Sequence, residues 1–271
     1  MYKWPVRERL VHQRGFWCTA GSFLQLFFLL YLQWTIEMAE IRQAQRIQTS
    51  VLAAGEKKLL VWLAERMPSW VTSDVMTAVG FAGSLMIAAG FVLSNLGVGW
   101  LWLAIGGFVV NWFGDSLDGT IARVRNAQRP VYGYYLDHTM DMINELLMFV
   151  GVGLSPWVHL HIALGALVFY LMLTVNQNMN VHLRSEFNLT YAKMGPTEFR
   201  LIMIIICLLF ICIRPIREYA HDLTVLGITY TFTLFDYLAA GITALLAIIV
   251  AVNWIQDIRY YARQDPPKQG N

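Results

Sequence analysis

Four aspartates carry the chemistry that can be read from this chain. Asp115 and Asp118 close a run from Val75 to Gly114 that holds no Asp, Glu, Lys or Arg. Asp137 and Asp141 follow one short loop later and open a second apolar stretch. A helical residue advances about 100°. A spacing of three therefore leaves Asp115 and Asp118 on one face, and Gly119 and Ala122 share it. A spacing of four does the same for Asp137 and Asp141, with Asn144 one turn beyond. Two helices then present two carboxylates each, and small residues leave room beside them.

Unpaired acids cost roughly 2.5–3.5 kcal/mol each at the centre of a bilayer and less near its surface. Four in one pocket also repel one another. Divalent cations relieve both problems. Hard oxygen donors without a Cys or His among them favour Mg²⁺ or Mn²⁺ over zinc. Two such ions would neutralise four carboxylates and leave positions open for phosphate oxygens, as in two-metal phosphoryl transfer. A carboxylate beside an acceptor hydroxyl can also take its proton. Arg123 has the fork geometry for phosphate; its other reading is a basic side chain snorkelling to the interface. Any one aspartate alone reads equally as a solvated interface acid; the repeated spacing of all four weighs against that.

The elements that hold these residues must be membrane helices. Of 271 residues, 57% are hydrophobic and 14% charged. The uncharged runs reach the roughly 20 residues that cross a bilayer core, so soluble domain counting does not apply. The pattern predicts spans at about 75–95 and 99–121, with Asn95-Leu96-Gly97-Val98-Gly99 as the turn. Residues 146–183 hold two more, broken near Ser155-Pro156-Trp157, and the fifth and sixth lie at about 197–213 and 234–256. Six crossings put 18 of the 20 Lys and Arg on the side of the aspartates and leave Arg214 and Arg217 opposite. The positive-inside rule then places the motif and both termini in the cytoplasm.

Phe16–Trp34 is apolar and long enough to cross, but crossing would send either the aspartates or Lys3, Arg7, Arg9 and Arg14 outside. It reads as an interfacial or re-entrant segment. No small-x-small site marks it as a cleaved signal peptide. In EKKLLVWLAERMPSW (56–70), Leu59, Leu60, Trp62, Leu63 and Met67 mix with Lys57, Lys58 and Arg66, which suits an amphipathic helix on the cytoplasmic leaflet. The expected architecture is an all-α integral membrane protein. Residues 1–55 form an interfacial or re-entrant extension, 56–73 the juxtamembrane helix, 74–263 a six-span domain and 264–271 a tail. Cys18, Cys207 and Cys212 sit in apolar surroundings without disulfide or metal-finger spacing.

Written out, the motif is Asp115-x-x-Asp118-Gly119-x-x-Ala122-Arg123, nine residues, then Gly133-x-x-x-Asp137-x-x-x-Asp141. It resembles the signature of the CDP-alcohol phosphatidyltransferase family at every position. The resemblance takes in the motif and the six-span layout, residues 56–263, and not the first 50. It implies displacement of CMP from a CDP-linked alcohol by the hydroxyl of a second alcohol, in phospholipid biosynthesis. It also implies two Mg²⁺ or Mn²⁺ ions on Asp115, Asp118, Asp137 and Asp141, with Asp141 as general base. Gly119, Ala122 and Gly133 would let cytidine and diphosphate approach, and Arg123 would touch phosphate. A homodimer in a bacterial inner membrane, or another phospholipid-making membrane, is the implied setting; nucleic acid is not an expected partner.

The acceptor stays open. LDHTMDMIN (136–144) and, more faintly, GPTEFR (195–200) resemble the choline/ethanolamine phosphotransferase branch. That branch takes a soluble CDP-alcohol as donor and diacylglycerol as acceptor. Other branches take CDP-diacylglycerol with serine, inositol or a polyol phosphate. A phosphorylated acceptor needs basic groups on the motif side. Arg200, inside a short span, is the leading candidate, followed by Arg184 and Lys193; His182 and Glu198 are further acceptor-pocket candidates. His138 lies about 100° off the aspartate face and reads as a hydrogen bonder. His159 and His161 read as outer-loop residues, and Asp236 as the outer mouth of span six.

Two rival readings use the same acids. An intramembrane prenyltransferase also holds diphosphate through Asp-rich motifs, and Asn111 to Asp118 superficially matches one. Its acidic clusters lie far apart in the chain, whereas these are 19 residues apart. A divalent-cation carrier would carry midplane acids in broken helices and inverted repeats, and neither pattern is present in the sequence.

Overall fold

Around the motif the chain builds a bundle of helices that alternate in direction. The structure, a computed structural model, describes residues 45–47, 53–184, 186–188, 196–225 and 228–267. The expected interfacial segment Phe16–Trp34 lies outside these residues, as do Lys193 and Cys18.

Strand β1 (Gln45–Ile47) precedes α1 (Ala53–Arg66). On α1, Leu60 and Ala64 stand four residues apart and are buried against Val71, Met76, Leu117 and Ile121. Leu59 and Trp62 are 46% and 51% exposed beside Lys57 and Lys58. Two polar anchors fasten α1. The Glu56 carboxylate accepts from Trp112 Nε1 at 2.7 Å and Thr197 Oγ1 at 2.8 Å. The Arg125 guanidinium donates to the carbonyls of Met67, Pro68, Ser69 and Val71 just past the helix end, where backbone acceptors lack helical partners.

Helix α2 (Ser73–Leu93) starts at Thr72, whose hydroxyl accepts the Val75 N–H at 3.3 Å. A turn through Gly97 leads to α3 (Leu101–Val124). Gly80, Gly83 and Gly90 of α2 meet Gly107, Gly114 and Ala104 of α3 so closely that backbone lies against backbone. A Cβ on Gly83 would stand 2.3 Å from Asn111 N, and one on Gly114 2.2 Å from Gly80 N. Small residues of this kind allow helices to approach in a lipid setting, where van der Waals contact drives association.

Helix α3 ends at Asn126, a left-handed residue with φ 52°. Pro130 opens α4 (Pro130–Gly153) in its first turn. Then follow α5 (Leu160–Arg184), β2 (Glu186–Asn188), α6 (Pro196–Cys212), the single turn α7 (Arg214–Arg217), β3 (Ala220–Val225), β4 (Ile228–Thr233) and α8 (Leu234–Gln264). Contacts fix their directions. At one end, Asn95 Nδ2 reaches Leu154 O at 2.9 Å, Trp157 Nε1 reaches Ser94 Oγ at 3.0 Å, and His159 N–H reaches Asp236 Oδ1 at 2.7 Å. At the other, Arg200 Nη2 meets Asp115 Oδ2 at 2.6 Å and Asn180 Nδ2 meets Asp257 Oδ2 at 2.8 Å. The main apolar cluster, including Ile87, Phe91, Phe108, Phe210 and Phe235, occupies the first end; the motif occupies the second.

Among the described residues, three helical stretches are long and apolar enough to cross a membrane: Ser73–Leu96, Leu160–Val181 and Leu234–Gln264. The acid-bearing α3 and α4 are too polar to join them on composition. Helix α6 has 17 residues, about 26 Å at a rise of about 1.5 Å per residue, against a core of about 30 Å. The expected boundaries at 75–95, 99–121 and 197–213 fall within about three residues of the observed helices, but α4 begins at Pro130, well before residue 146, and α8 runs on to Gln264; among the described residues only three helices qualify as spans by themselves.

The fold is mostly helical, as expected, with two small two-stranded sheets added. β3 and β4 form an antiparallel hairpin in register Ala220↔Thr233 to Val225↔Ile228, and β1 pairs in parallel with β2. The hairpin sequence ITYTFT alternates apolar and threonine residues, a period-two pattern of β-branched and aromatic side chains. It is short and lies between two spans, where attention to apolar runs passes over it.

Candidate active site

The motif residues come together in a cleft between three helices. Asp115 of α3 and Asp137 and Asp141 of α4 each offer a carboxylate oxygen, and these oxygens lie within 4.8 Å of one another. Asp118 lines the same cleft. Its Oδ2 accepts from Thr77 Oγ1 of α2 at 2.9 Å, and its Oδ1 accepts the Gly119 N–H. Helices α3 and α4 both pack along α2. Thr77 and Gly80 of α2 therefore form the cleft wall between the two pairs of acids.

A buried polar chain supports Asp115. Asn111, one turn earlier on α3, is fully buried. Its amide donates to Gly80 O at 3.0 Å and Ser84 Oγ at 2.9 Å, and its oxygen accepts from Arg200 Nε at 2.8 Å. Arg200 Nη2 then donates to Asp115 Oδ2 at 2.6 Å. The planar fork of arginine serves both partners at once. Arg200, a candidate for the acceptor pocket on sequence, thus belongs to the carboxylate cleft itself.

The donor set fits hard divalent cations. Oxygens in an octahedral shell with bonds of about 2.1 Å stand about 3.0–4.2 Å apart, close to the spread of the three carboxylates. Asn144, which lines the cleft, has its Oδ1 buried with no hydrogen-bond partner. The cleft is tight, with a cavity volume of about 10 Å³, far below the roughly 300–1,000 Å³ of small-molecule pockets. That is about the space of one water-sized particle, so the bodies of larger ligands must lie outside it.

The small motif residues differ from the packing glycines. Gly133 is exposed, and a Cβ there would meet nothing within 4 Å. At Gly119 a Cβ would approach only the Arg123 guanidinium, 3.2 Å from Nη1. Arg123 Nη2 donates to Thr120 Oγ1 at 2.9 Å, which folds the side chain back along α3 over Gly119. Ala122 is half-buried on the same helix. Packing among the described residues requires neither glycine.

The other singled-out residues divide. His138 Nδ1 pairs with Tyr134 O at 2.9 Å and its ring lies on Tyr134 with centroids 4.0 Å apart. His182 and Arg184 lie on α5, but their side chains fall outside the described residues. Glu198 is half-buried in the first turn of α6. At the far end, Asp236 is buried: it caps α8 in a reciprocal box with Thr233 and pairs with His159 Nδ1 at 3.0 Å. It is a structural hub and not a simple entrance marker. Sequence reasoning passed over Thr77, Gly80 and the supporting role of Asn111. Only Asn111 left a signal, a lone amide in an apolar run one turn before Asp115.

Comparison with known proteins finds relatives of this chain. A phosphatidylinositol phosphate synthase of Cutibacterium acnes is 33% identical over 102 residues, covering 37% of this chain and 47% of that protein. An archaetidylinositol phosphate synthase of Methanothermobacter thermautotrophicus is 31% identical over 80 residues, 30% of this chain and 38% of its own. Another from Pyrococcus horikoshii is 29% identical over 85 residues, 31% and 42% of the two chains. The aligned part of this chain spans less than half the length of each relative. None of these three names belongs to the choline/ethanolamine branch that LDHTMDMIN resembles. The sequence profile of the CDP-alcohol phosphatidyltransferases matches residues 70–252. That match begins just ahead of α2 and ends inside α8, enclosing every helix that builds the cleft, and the chain therefore belongs to the CDP-alcohol phosphatidyltransferase family.

Proposed function

We propose that this protein transfers a phospho-alcohol group from a CDP-linked alcohol to the hydroxyl of a second alcohol, with release of CMP, in phospholipid synthesis. The observation that carries the reading is the meeting of Asp115, Asp137 and Asp141 from two helices within 4.8 Å, with Asp118 on the same cleft. These four would hold two Mg²⁺ or Mn²⁺ ions, which supply charge neutralisation for the diphosphate and the transferring phosphoryl group. Asp141 takes the proton of the acceptor hydroxyl as it attacks phosphorus. Thr77 and the Gly119 N–H orient Asp118. The open surface at Gly133 and the Arg123 guanidinium above Gly119 receive the cytidine diphosphate from the aqueous side. Arg200 orients Asp115 and puts a positive charge at the cleft, where a phosphorylated acceptor can use it.

The relatives are named for inositol phosphate products, so a CDP-diacylglycerol-type donor with a phosphorylated polyol acceptor leads. The choline/ethanolamine reading rests on the wording around Asp137 and Asp141. Six crossings, cytoplasmic placement of the cleft, a bacterial inner membrane and a homodimer complete the proposal, supported by the charge asymmetry and by the family. The purified protein, given CDP-diacylglycerol, CDP-choline or CDP-ethanolamine with matching acceptors, should release CMP only with Mg²⁺ or Mn²⁺ present. Asp141→Asn should abolish that release while the protein still inserts and folds. CMP release that survives chelation, or survives Asp141→Asn, refutes the reading. Family membership leaves the prenyltransferase and carrier alternatives without support.

A further inference from the structure

Among the described residues lining the cleft, Asn144 has a buried side-chain oxygen, Oδ1, without a hydrogen-bond partner. The residue is 7% exposed. An unpaired buried amide oxygen costs about 1–3 kcal/mol, and folded proteins seldom keep one without a use for it. Asn111 is just as deep and is fully paired, through Gly80, Ser84 and Arg200. Two other buried polar atoms lack partners among the described residues, Glu145 Oε2 and Asn253 Nδ2. Of the three residues, Asn144 alone lines the carboxylate cleft.

Its position is systematic. Asp137, Asp141 and Asn144 stand at i, i+4 and i+7 of α4, one stripe on one face. Asn144 is one turn below Asp141, about 4.5 Å further along the axis, opposite Gly80 of α2. An amide oxygen is a hard, neutral donor. It can fill a coordination position without adding a fifth negative charge to four carboxylates.

We propose that Asn144 is a neutral oxygen ligand at the floor of the cleft, holding a divalent cation directly or through one bound water. The proposal rests on the metal reading of the four aspartates. It assigns the amide end facing the cation to oxygen, since the two ends are set by their partners.

The test uses the full chain in detergent, with Mn²⁺ alone as the probe. Free Mn²⁺ is followed by electron paramagnetic resonance, and thermal unfolding is measured in chelator. Wild type should bind Mn²⁺. Asn144→Leu should bind it at least about tenfold more weakly, the range seen when groups supporting a metal are removed. Asn144→Asp, which restores an oxygen, should bind at least as well as wild type. In chelator, Asn144→Leu should unfold at or above the wild-type temperature, because an unpaired buried amide oxygen is gone. Wild-type affinity in Asn144→Leu, equal losses in both variants, or earlier unfolding of metal-free Asn144→Leu each overturns the proposal. Failure of wild type itself to bind Mn²⁺ overturns the metal reading beneath it, a distinct result.

Discussion

Gly114→Ala is the smallest change expected to disable the cleft without touching a carboxylate. Gly114 precedes Asp115 and lies where α3 presses on α2. An added Cβ would stand 2.2 Å from Gly80 N and 2.6 Å from Gly80 Cα and Met76 O. All three are backbone atoms, so no side chain can swing aside. Ordinary contact begins near 3.4 Å, and the helices must part by the difference from 2.2 Å, about 1.2 Å. Overpacking by one methyl costs about 1–3 kcal/mol. A shift of about 1 Å in reacting geometry costs about 10²-fold in rate. The matched control is Gly106→Ala on the same helix, where a Cβ would meet only Met86 Cε at 3.7 Å; alanine there gains up to about 1 kcal/mol of helix propensity. CMP release at saturating Mg²⁺ and thermal unfolding in detergent are measured on both. Gly114→Ala should lose about two orders of magnitude in turnover and unfold earlier, while Gly106→Ala keeps both. Equal turnover in the two variants would show that the α2–α3 distance does not set the site.

Gly133→Ala should raise the KM for the CDP-linked donor with no loss of thermal stability, because its Cβ would face only open space; an unchanged KM removes Gly133 from the donor site. Arg200→Lys should cut turnover at least about tenfold, since an ammonium cannot copy the two-armed contact to Asn111 Oδ1 and Asp115 Oδ2; full activity would show that charge alone suffices there. Asp236→Ala should lower stability by about 1–3 kcal/mol, because the His159 and Thr233 N–H groups lose their acceptor. Its KM values should stay at wild type once the folded fraction is matched, and a KM shift would tie the far end of the bundle to the cleft.

The acids were legible because their chemistry demands fixed residue types at helical spacing. Asp115 and Asp118 on one helix and Asp137 and Asp141 on the next follow from spacings of three and four. Helix ends were legible for a similar reason: Gly97 and the Ser155-Pro156 break interrupt long apolar runs. Pairing across the bundle was not legible. That Arg200 would reach Asp115 depends on how α6 is rotated and tilted against α3, and 85 residues separate the two. The role of Asp236 was hidden for the opposite reason. Its partners Thr233 and His159 are ordinary residues whose meeting depends on the ends of α5 and α8 lying side by side. The hairpin at 220–233 shows the limit of reading by apolar run length, since its signal is alternation over six residues per strand.

The helix with the least chemistry in its sequence sets the site. Helix α2 has one charged residue, Asp74, and no acid within the cleft. It nevertheless holds both acid helices, α3 through Gly80, Gly83 and Gly90 and α4 through Ala88, whose Cα lies 2.6 Å from where a Gly151 Cβ would be. The carboxylates of α3 and α4 converge beside α2, their oxygens within 4.8 Å of one another, so the packing of α2 against both helices sets the gap between them. The close glycine contacts then have a consequence beyond stability. They fix the width of the gap to within the few tenths of an ångström that packed interiors tolerate, as cation coordination requires. Substitutions on the lipid-facing side of α2, such as Leu85→Ala, should therefore leave CMP release intact, while added bulk on its glycine face should remove it.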